Sequence, residues 1–198
     1  TYKNDTWDMN SEVVIMDVAS QRDICCHTGG SIAFDKDGNL FLSTGDNSTP
    51  FNQGDSKYTL NGYAPLDQRQ GREQWEARRS SGNSNDLRGK ILRIKVNPDG
   101  TYDIPEGNLY PKGTEGTRPE IFVQGNRNPY RISVDQKKGW VYWGEVGPDA
   151  RLDRMDTRGP REYDEVNQAR QAGNLGWPYF VGNNYPYHEF EFVSGTTG

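Results

Sequence analysis

Short runs rich in β-branched and aromatic residues alternate with polar turns along most of the chain, and no stretch sustains the apolar repeat of an amphipathic helix. The pattern predicts an all-β fold. Residues 12–18 (EVVIMDV) read as one strand. Residues 31–45 (SIAFDKDGNLFLSTG) read as a hairpin that reverses at Lys36-Asp37-Gly38, where Asp-Gly supplies the positive φ of a tight turn. Residues 89–103 (GKILRIKVNPDGTYD) repeat the scheme around Asn97-Pro98-Asp99-Gly100, and residues 120–123 form a further strand ahead of a hairpin over 131–145 (RISVDQKKGWVYWGE).

Two of these hairpins can be laid on each other. Ile32-Ala33-Phe34-Asp35 followed by Gly38-Asn39-Leu40-Phe41 matches Ile132-Ser133-Val134-Asp135 followed by Gly139-Trp140-Val141-Tyr142, at an offset of 100 positions. Two units of about 50 residues suit the blades of a β-propeller, whose four-stranded sheets bury their faces against one another. Two unrelated hairpins in a sandwich are the alternative. Two polar excursions interrupt the strands, at 47–86 and at 149–162. Excursions as long as the first are functional or disordered, and its mixed charges suit a solvated loop.

Composition narrows the picture. A chain of 198 residues can form one domain with a core of its own. Mean hydropathy is low at −0.98, yet 23 glycines, 11 prolines and 12% aromatic residues are the mixture of short aromatic strands joined by long polar loops, not of a disordered segment. The net charge of −5 is spread over interspersed acids and bases, which leaves no basic face for a nucleic acid. No apolar run approaches the roughly 18 residues of a membrane span, and the polar first ten residues carry no signal-peptide pattern. A start without Met and an end in a turn-like run read as an internal fragment. The two cysteines, Cys25 and Cys26, are neighbours and cannot staple distant segments.

Several residues have the chemistry of a site. His27 precedes Thr28-Gly29-Gly30, which leaves its ring open to a ligand, as a general base requires; a structural histidine before a turn is the alternative. His188 sits in an aromatic tail and is the weaker candidate. Gly125-Asn126-Arg127-Asn128-Pro129 holds an Arg and an Asn between Gly and Pro, where a guanidinium can stabilise developing charge or satisfy loop carbonyls. Gly147-Pro148 and, further on, Asp164-Glu165 bring carbonyl and carboxylate oxygens of the kind Ca2+ prefers, though acidic loops are commonly just solvated. GxSxG, HExxH, P-loop and GxGxxG signatures are absent from the sequence, while paired carboxylates for glycoside hydrolysis stay open.

Read in order, His27-Thr28-Gly29-Gly30, Thr44-Gly45-Asp46, Gly89-Lys90-Ile91-Leu92-Arg93, Arg127-Asn128-Pro129, Gly147-Pro148, Asp164-Glu165-Val166-Asn167 and Gly173-Asn174-Leu175-Gly176-Trp177-Pro178 resemble the glucose/sorbosone dehydrogenase family of soluble quinoproteins. The resemblance implies an all-β, six-bladed β-propeller of which residues 1–198 cover about half, as one partial sugar dehydrogenase domain. It implies oxidation of the anomeric carbon of an aldose by hydride transfer to pyrroloquinoline quinone (PQQ) with help from Ca2+. By the same resemblance His27 is the general base, Arg127 stabilises charge on the quinone oxygen, Asn128 contacts the cofactor, and the carbonyls of Gly147 and Pro148 hold its calcium. Asp164 and Glu165 match the family's acidic pair, and Glu165 with the Leu175 carbonyl matches a structural calcium site. The implied partners are a sugar and a cytochrome or other electron acceptor, and the implied location is the periplasm or outside the cell. The alternatives are a non-catalytic propeller binding a carbohydrate or protein partner, and a calcium-stabilised glycoside-processing enzyme.

The chain departs from the family pattern at Cys26, where the best-known members carry Asp, and in the length of 149–162. The basic residues that clamp the quinone's carboxylates in the family fall beyond Gly198, so this chain alone is expected to hold the cofactor weakly. Cys25 and Cys26 either form a disulfide beside the base, as in the separate quinoprotein alcohol dehydrogenases, or stand as two thiols; thiols are the expectation.

Overall fold

In the computed structural model the described residues are 2–22, 26–49, 65–154 and 159–197. They form strands β1 (Tyr2–Lys3), β2 (Thr6–Trp7), β3 (Gly29–Phe34), β4 (Leu40–Thr44), β5 (Lys90–Val96), β6 (Tyr102–Asp103), β7 (Ile121–Gln124), β8 (Pro129–Val134), β9 (Val141–Glu145), β10 (Glu165–Ala169), β11 (Gly173–Asn174), β12 (Phe180–Val181), β13 (Tyr185–Pro186), β14 (Phe190–Glu191) and β15 (Thr196–Thr197), with only short 3-10 turns besides. The chain is all-β, as its periodicity predicts.

Two sheets carry the architecture. The larger is an antiparallel meander of β3, β4, β5 and β7, with β11 added in parallel outside β7. The second is the antiparallel run β8, β9, β10. Each begins with one of the two hairpins that match in sequence, and each hairpin has a register shift in its first strand, between Gly29 and Ile32 and between Pro129 and Arg131. β3 and β8 pack side by side, with the Ile132 amide donating to Ser31 Oγ at 3.2 Å. The matching strands of the two sheets are thus neighbours, so the 100-position offset separates adjacent sheets and is one unit, not the two units of about 50 residues expected from the sequence. Among the described residues the sheets close no ring.

The core between the sheets explains why they hold this arrangement. Phe41, Ile91, Phe122 and Val123 of the first sheet meet Val134, Val141 and Trp143 of the second in one buried cluster. Phe41 and Phe122 contact edge to face at 5.4 Å. Each such side chain contributes roughly 1.5–3 kcal/mol by leaving water, so seven of them outweigh the short ladders alone.

Two further expectations are corrected. Residues 12–18 form no strand: Val13 and Val14 stay exposed, while Met16 and Val18 pack on the buried cluster of Leu87, Leu92 and Ile121. The apolar run is a cover over the sheet, without a ladder partner. The long polar excursion is also only partly solvated where it is described: Gln68, Gln70, Glu73, Asn83 and Asn85 are exposed, but Trp75, Ala77, Ser80 and Ser81 are at most 2% exposed. Lys90 explains much of this: its buried Nζ donates to the carbonyls of Ser80 (2.8 Å), Ser81 (3.0 Å) and Arg88 (2.7 Å) and ties the loop to β5. Burial lowers this ammonium's pKa to about 7, against the opposing pull of Asp86.

Candidate active site

Pairing of Gly29 with Thr44, Thr44 with Lys90 and Lys90 with Gln124 brings the ends of four strands level. The loops leaving that end are stitched together by Gly89 N–H to the Gly45 carbonyl (2.9 Å), Asn126 N–H to the Gly89 carbonyl (3.1 Å) and Asp46 N–H to the Arg127 carbonyl (2.7 Å). Gly45 is required at this crossing, because a Cβ there would lie 2.1 Å from the His27 carbonyl oxygen. Residues far apart in sequence therefore meet at one sheet end.

His27 is buried, with φ +53, directly after Cys26 at φ +84. Two consecutive non-glycine residues in the left-handed region mark a backbone held by its surroundings, at roughly 1–3 kcal/mol each. Cys26 is disulfide-bonded, which overturns the expectation of thiols. The chain's other cysteine, Cys25, lies outside the described residues.

The His27 ring meets a carboxylate, with Nδ1 2.9 Å from Asp46 Oδ1 and 3.3 Å from Ser48 Oγ. Asp46 is itself wholly buried, and it accepts from Ser48 N–H (2.8 Å), Ser48 Oγ (2.9 Å) and, through Oδ2, the indole N–H of Trp177 (2.9 Å). Burial alone would push the Asp46 carboxyl up; the adjacent His27, the Arg127 charge and the Ser48 amide outweigh it and hold the group below the usual carboxylate range. A carboxylate at Nδ1 favours the tautomer protonated there, which leaves Nε2 as a proton acceptor.

Arg127 and Asn128 follow in the turn between β7 and β8. The Arg127 guanidinium, 1% exposed, donates to the Val146 carbonyl (3.1 Å) and to Asp149 Oδ2 (2.7 Å), and lies 6.0 Å from the Trp177 ring centre. Asn128 Oδ1 is buried without a donor. Such an oxygen suits a ligand's N–H or O–H. Arg127, Glu145, Gly147, Pro148, Tyr163, Glu165, Leu175 and Trp177 line one cavity of about 160 Å³. Gly147 closes tightly on its neighbour, since a Cβ there would fall 2.1 Å from the Tyr163 carbonyl oxygen.

Of the residues singled out by sequence, Arg127, Gly147, Pro148, Glu165 and Leu175 thus share a cavity wall. Asn128 adjoins it, and His27 connects to it through Asp46 and Trp177. Asp164 fastens the Gly147 amide at 2.9 Å. Glu165 accepts from the Gly182 amide and from Asn167 Nδ2. Among the described residues no group of three or more His, Cys, Asp or Glu side chains is gathered as a metal site.

Three site residues escape a reading of the sequence: Asp46, Trp177 and Glu145. Asp46 and Trp177 stand inside recognisable motifs, but no spacing reveals that positions 27, 46 and 177 share one hydrogen-bond chain. Glu145 ends β9 opposite Glu165 of β10. Burial, reinforced by Glu165, pushes its pKa up to about 8 although the amides of Asn128 and Arg127 and the Trp143 indole all donate to it.

Comparison with known proteins identifies the family. The HIPL2 protein of Arabidopsis thaliana is 30% identical over 167 residues, covering 78% of this chain and 19% of that protein. Aldose sugar dehydrogenase YliI of Escherichia coli (strain K12) is 27% identical over 176 residues, covering 86% of this chain and 35% of its own length. The chain therefore spans between a fifth and about a third of these curated relatives. A solved structure from Thermus thermophilus, described as an oxidoreductase (glucose dehydrogenase), superimposes with a TM-score of 0.53 at 28% identity, over 84% of this chain and 37% of that one. The Glucose / Sorbosone dehydrogenase family model matches residues 1–196, and the chain belongs to that family.

Proposed function

We propose that this chain carries the reactive centre of a quinone-dependent aldose dehydrogenase, which oxidises the anomeric carbon of a sugar. The observation that carries the reading is the buried His27–Asp46 pair, joined through Trp177 to the cavity lined by Arg127, Gly147 and Pro148. Pyrroloquinoline quinone, when bound, supplies the hydride acceptor, and Ca2+ a Lewis acid. His27 Nε2 takes the proton of the anomeric hydroxyl, while Asp46 keeps the ring in the accepting tautomer and steadies the imidazolium that forms. Arg127 supplies positive charge where negative charge builds. Asn128, with its donor-free oxygen, orients the bound ring system. The Gly147 and Pro148 carbonyls would hold the calcium, and Glu165 with the Leu175 carbonyl a second one.

The disulfide at Cys26 supports a periplasmic or secreted protein, because such bonds persist in oxidising compartments. The described residues contain no helix long and apolar enough to cross a membrane. Electrons would pass on to a cytochrome or another acceptor. One observation favours a second reading, a non-catalytic propeller that binds a carbohydrate or protein: the Arg127 guanidinium is buried and already engaged by Asp149. Dye-linked oxidation of an aldose panel by the full-length parent protein, purified without cofactor and assayed with and without PQQ and Ca2+, separates the two. Turnover that needs both additions supports the dehydrogenase. No turnover and no quinone uptake would leave the binding propeller.

A further inference from the structure

Glu145 has no part in the mechanism above, yet it accepts more hydrogen bonds than Glu165, the other carboxyl that lines the cavity. It is 8% exposed at the end of β9. Its Oε1 accepts two backbone N–H groups, those of Arg127 and Asn128, each at 2.6 Å, and its Oε2 accepts the Trp143 indole N–H at 3.0 Å.

The backbone explains why such a group is needed. The chain enters β8 at Pro129, which has no N–H to give, and the β8–β9 register slips between Pro129 and Arg131. The ladder therefore cannot satisfy the two amides just before it, and the turn is buried: Asn126 and Arg127 are each 1% exposed. Two neighbouring donors converge on one point, and a single oxygen with two lone pairs is the acceptor that fits them. The Trp143 indole pins the second oxygen, so Oε1 has one position. We propose that Glu145 is a positioning residue, whose Oε1 sets the Arg127–Asn128 turn and with it the direction of both side chains at the cavity. Its consequence for ligand binding rests on the roles given to Arg127 and Asn128 above.

Two variants separate the acceptor from the bulk. Glu145→Leu keeps the volume and removes both oxygens, while Glu145→Gln keeps Oε1 with its two lone pairs. Residue-level amide hydrogen exchange on the cofactor-free full-length parent protein is the first readout, and PQQ titration of that parent followed by tryptophan fluorescence is the second. In Glu145→Leu the Arg127 and Asn128 amides should exchange at least about tenfold faster, while the β8–β9 ladder amides keep wild-type protection, and quinone affinity should fall about tenfold or more. Glu145→Gln, which keeps the Oε1 acceptor but sets an NH2 against the Trp143 indole N–H, should recover part of the loss in both readouts. If Glu145→Leu does not fold, Glu145→Asp, which withdraws the carboxyl by one methylene, is read in its place.

Unchanged exchange at the two amides overturns the proposal. So does loosening spread evenly over β8 and β9, which is a merely structural loss, and so does a Gln variant as impaired as Leu. Loosened amides with wild-type quinone affinity overturn the link to the ligand. Quinone uptake by neither wild type nor variants overturns the cofactor reading instead, and the exchange data still decide whether Glu145 sets the turn.

Discussion

Replacing Asp46 by Asn tests the centre of the site. The carboxylate receives four donors, His27 Nδ1, Ser48 N–H, Ser48 Oγ and Trp177 Nε1, at distances of 2.8 to 2.9 Å in a wholly buried position. Asn retains one accepting oxygen and turns an NH2 group toward the other donors, so His27 or Trp177 must face a donor. Breaking a buried, hydrogen-bonded ionic group this way costs about 3–5 kcal/mol. Urea unfolding at pH 7 should show a loss of that order, and turnover of the loaded enzyme should fall at least about a hundredfold as His27 loses its accepting tautomer. The sign with pH follows from the lowered Asp46 pKa. A depressed carboxylate stabilises the fold above its unfolded value of about 3.9, and that stability is lost as pH falls through the lower folded value. The gap between wild type and Asp46→Asn should therefore be full at pH 7 and shrink below about pH 4. A variant within about 1 kcal/mol of wild type at pH 7, or a gap indifferent to acid, would refute the reasoning.

Other outcomes follow from neighbouring geometry. Gly147→Ala forces a Cβ against the Tyr163 backbone and should cost about 1–3 kcal/mol in a thermal melt; an unchanged midpoint would mean that the cradle yields freely. Lys90, with its pKa lowered to about 7 by burial, binds fewer protons folded than unfolded up to its ordinary 10.5. Stability should accordingly rise with pH between those values, by at most about 1.4 kcal/mol per unit, relative to Lys90→Met, whereas parallel curves would exclude the effect. Alkylation without reductant should label no thiol, and mass spectrometry finding two labelled cysteines would dispose of the disulfide at Cys26.

The fold was legible where its causes are local. The turns at Gly38 and Gly100 adopt the positive φ that Asp-Gly announces, and the flanking runs pair as hairpins. The matching hairpins at 32 and 132 prove to be equivalent strands packed side by side. The reading failed at 12–18, because an apolar run states only that it is buried on one side, not whether a ladder partner lies on the other. It failed again at 65–86, where polar residues look solvated one by one. There the deciding groups are backbone carbonyls, those of Ser80 and Ser81, gathered around a lysine on a strand.

The site divides along the same line, and the division has a physical cause. His27, Arg127 and the Gly147-Pro148 turn were noticeable as candidates by their chemistry or backbone freedom, and the family resemblance supplied the roles expected of them. Asp46 and Glu145 are members of the commonest class of surface residue, and in a chain with 28 acids nothing sets them apart. What distinguishes them is burial amid converging N–H donors, which arises only after the register of Gly29 with Thr44 and of Pro129 with Glu145 is formed. In that setting the two carboxyls diverge. Asp46, beside His27 and within reach of the Arg127 charge, is held ionised; Glu145 is pushed toward neutrality by its burial, with Glu165 across the strands adding to it. In the proposed function one would keep the His27 ring oriented and the other the arginine turn in place, so both depend on acids whose settings only the assembled sheets create.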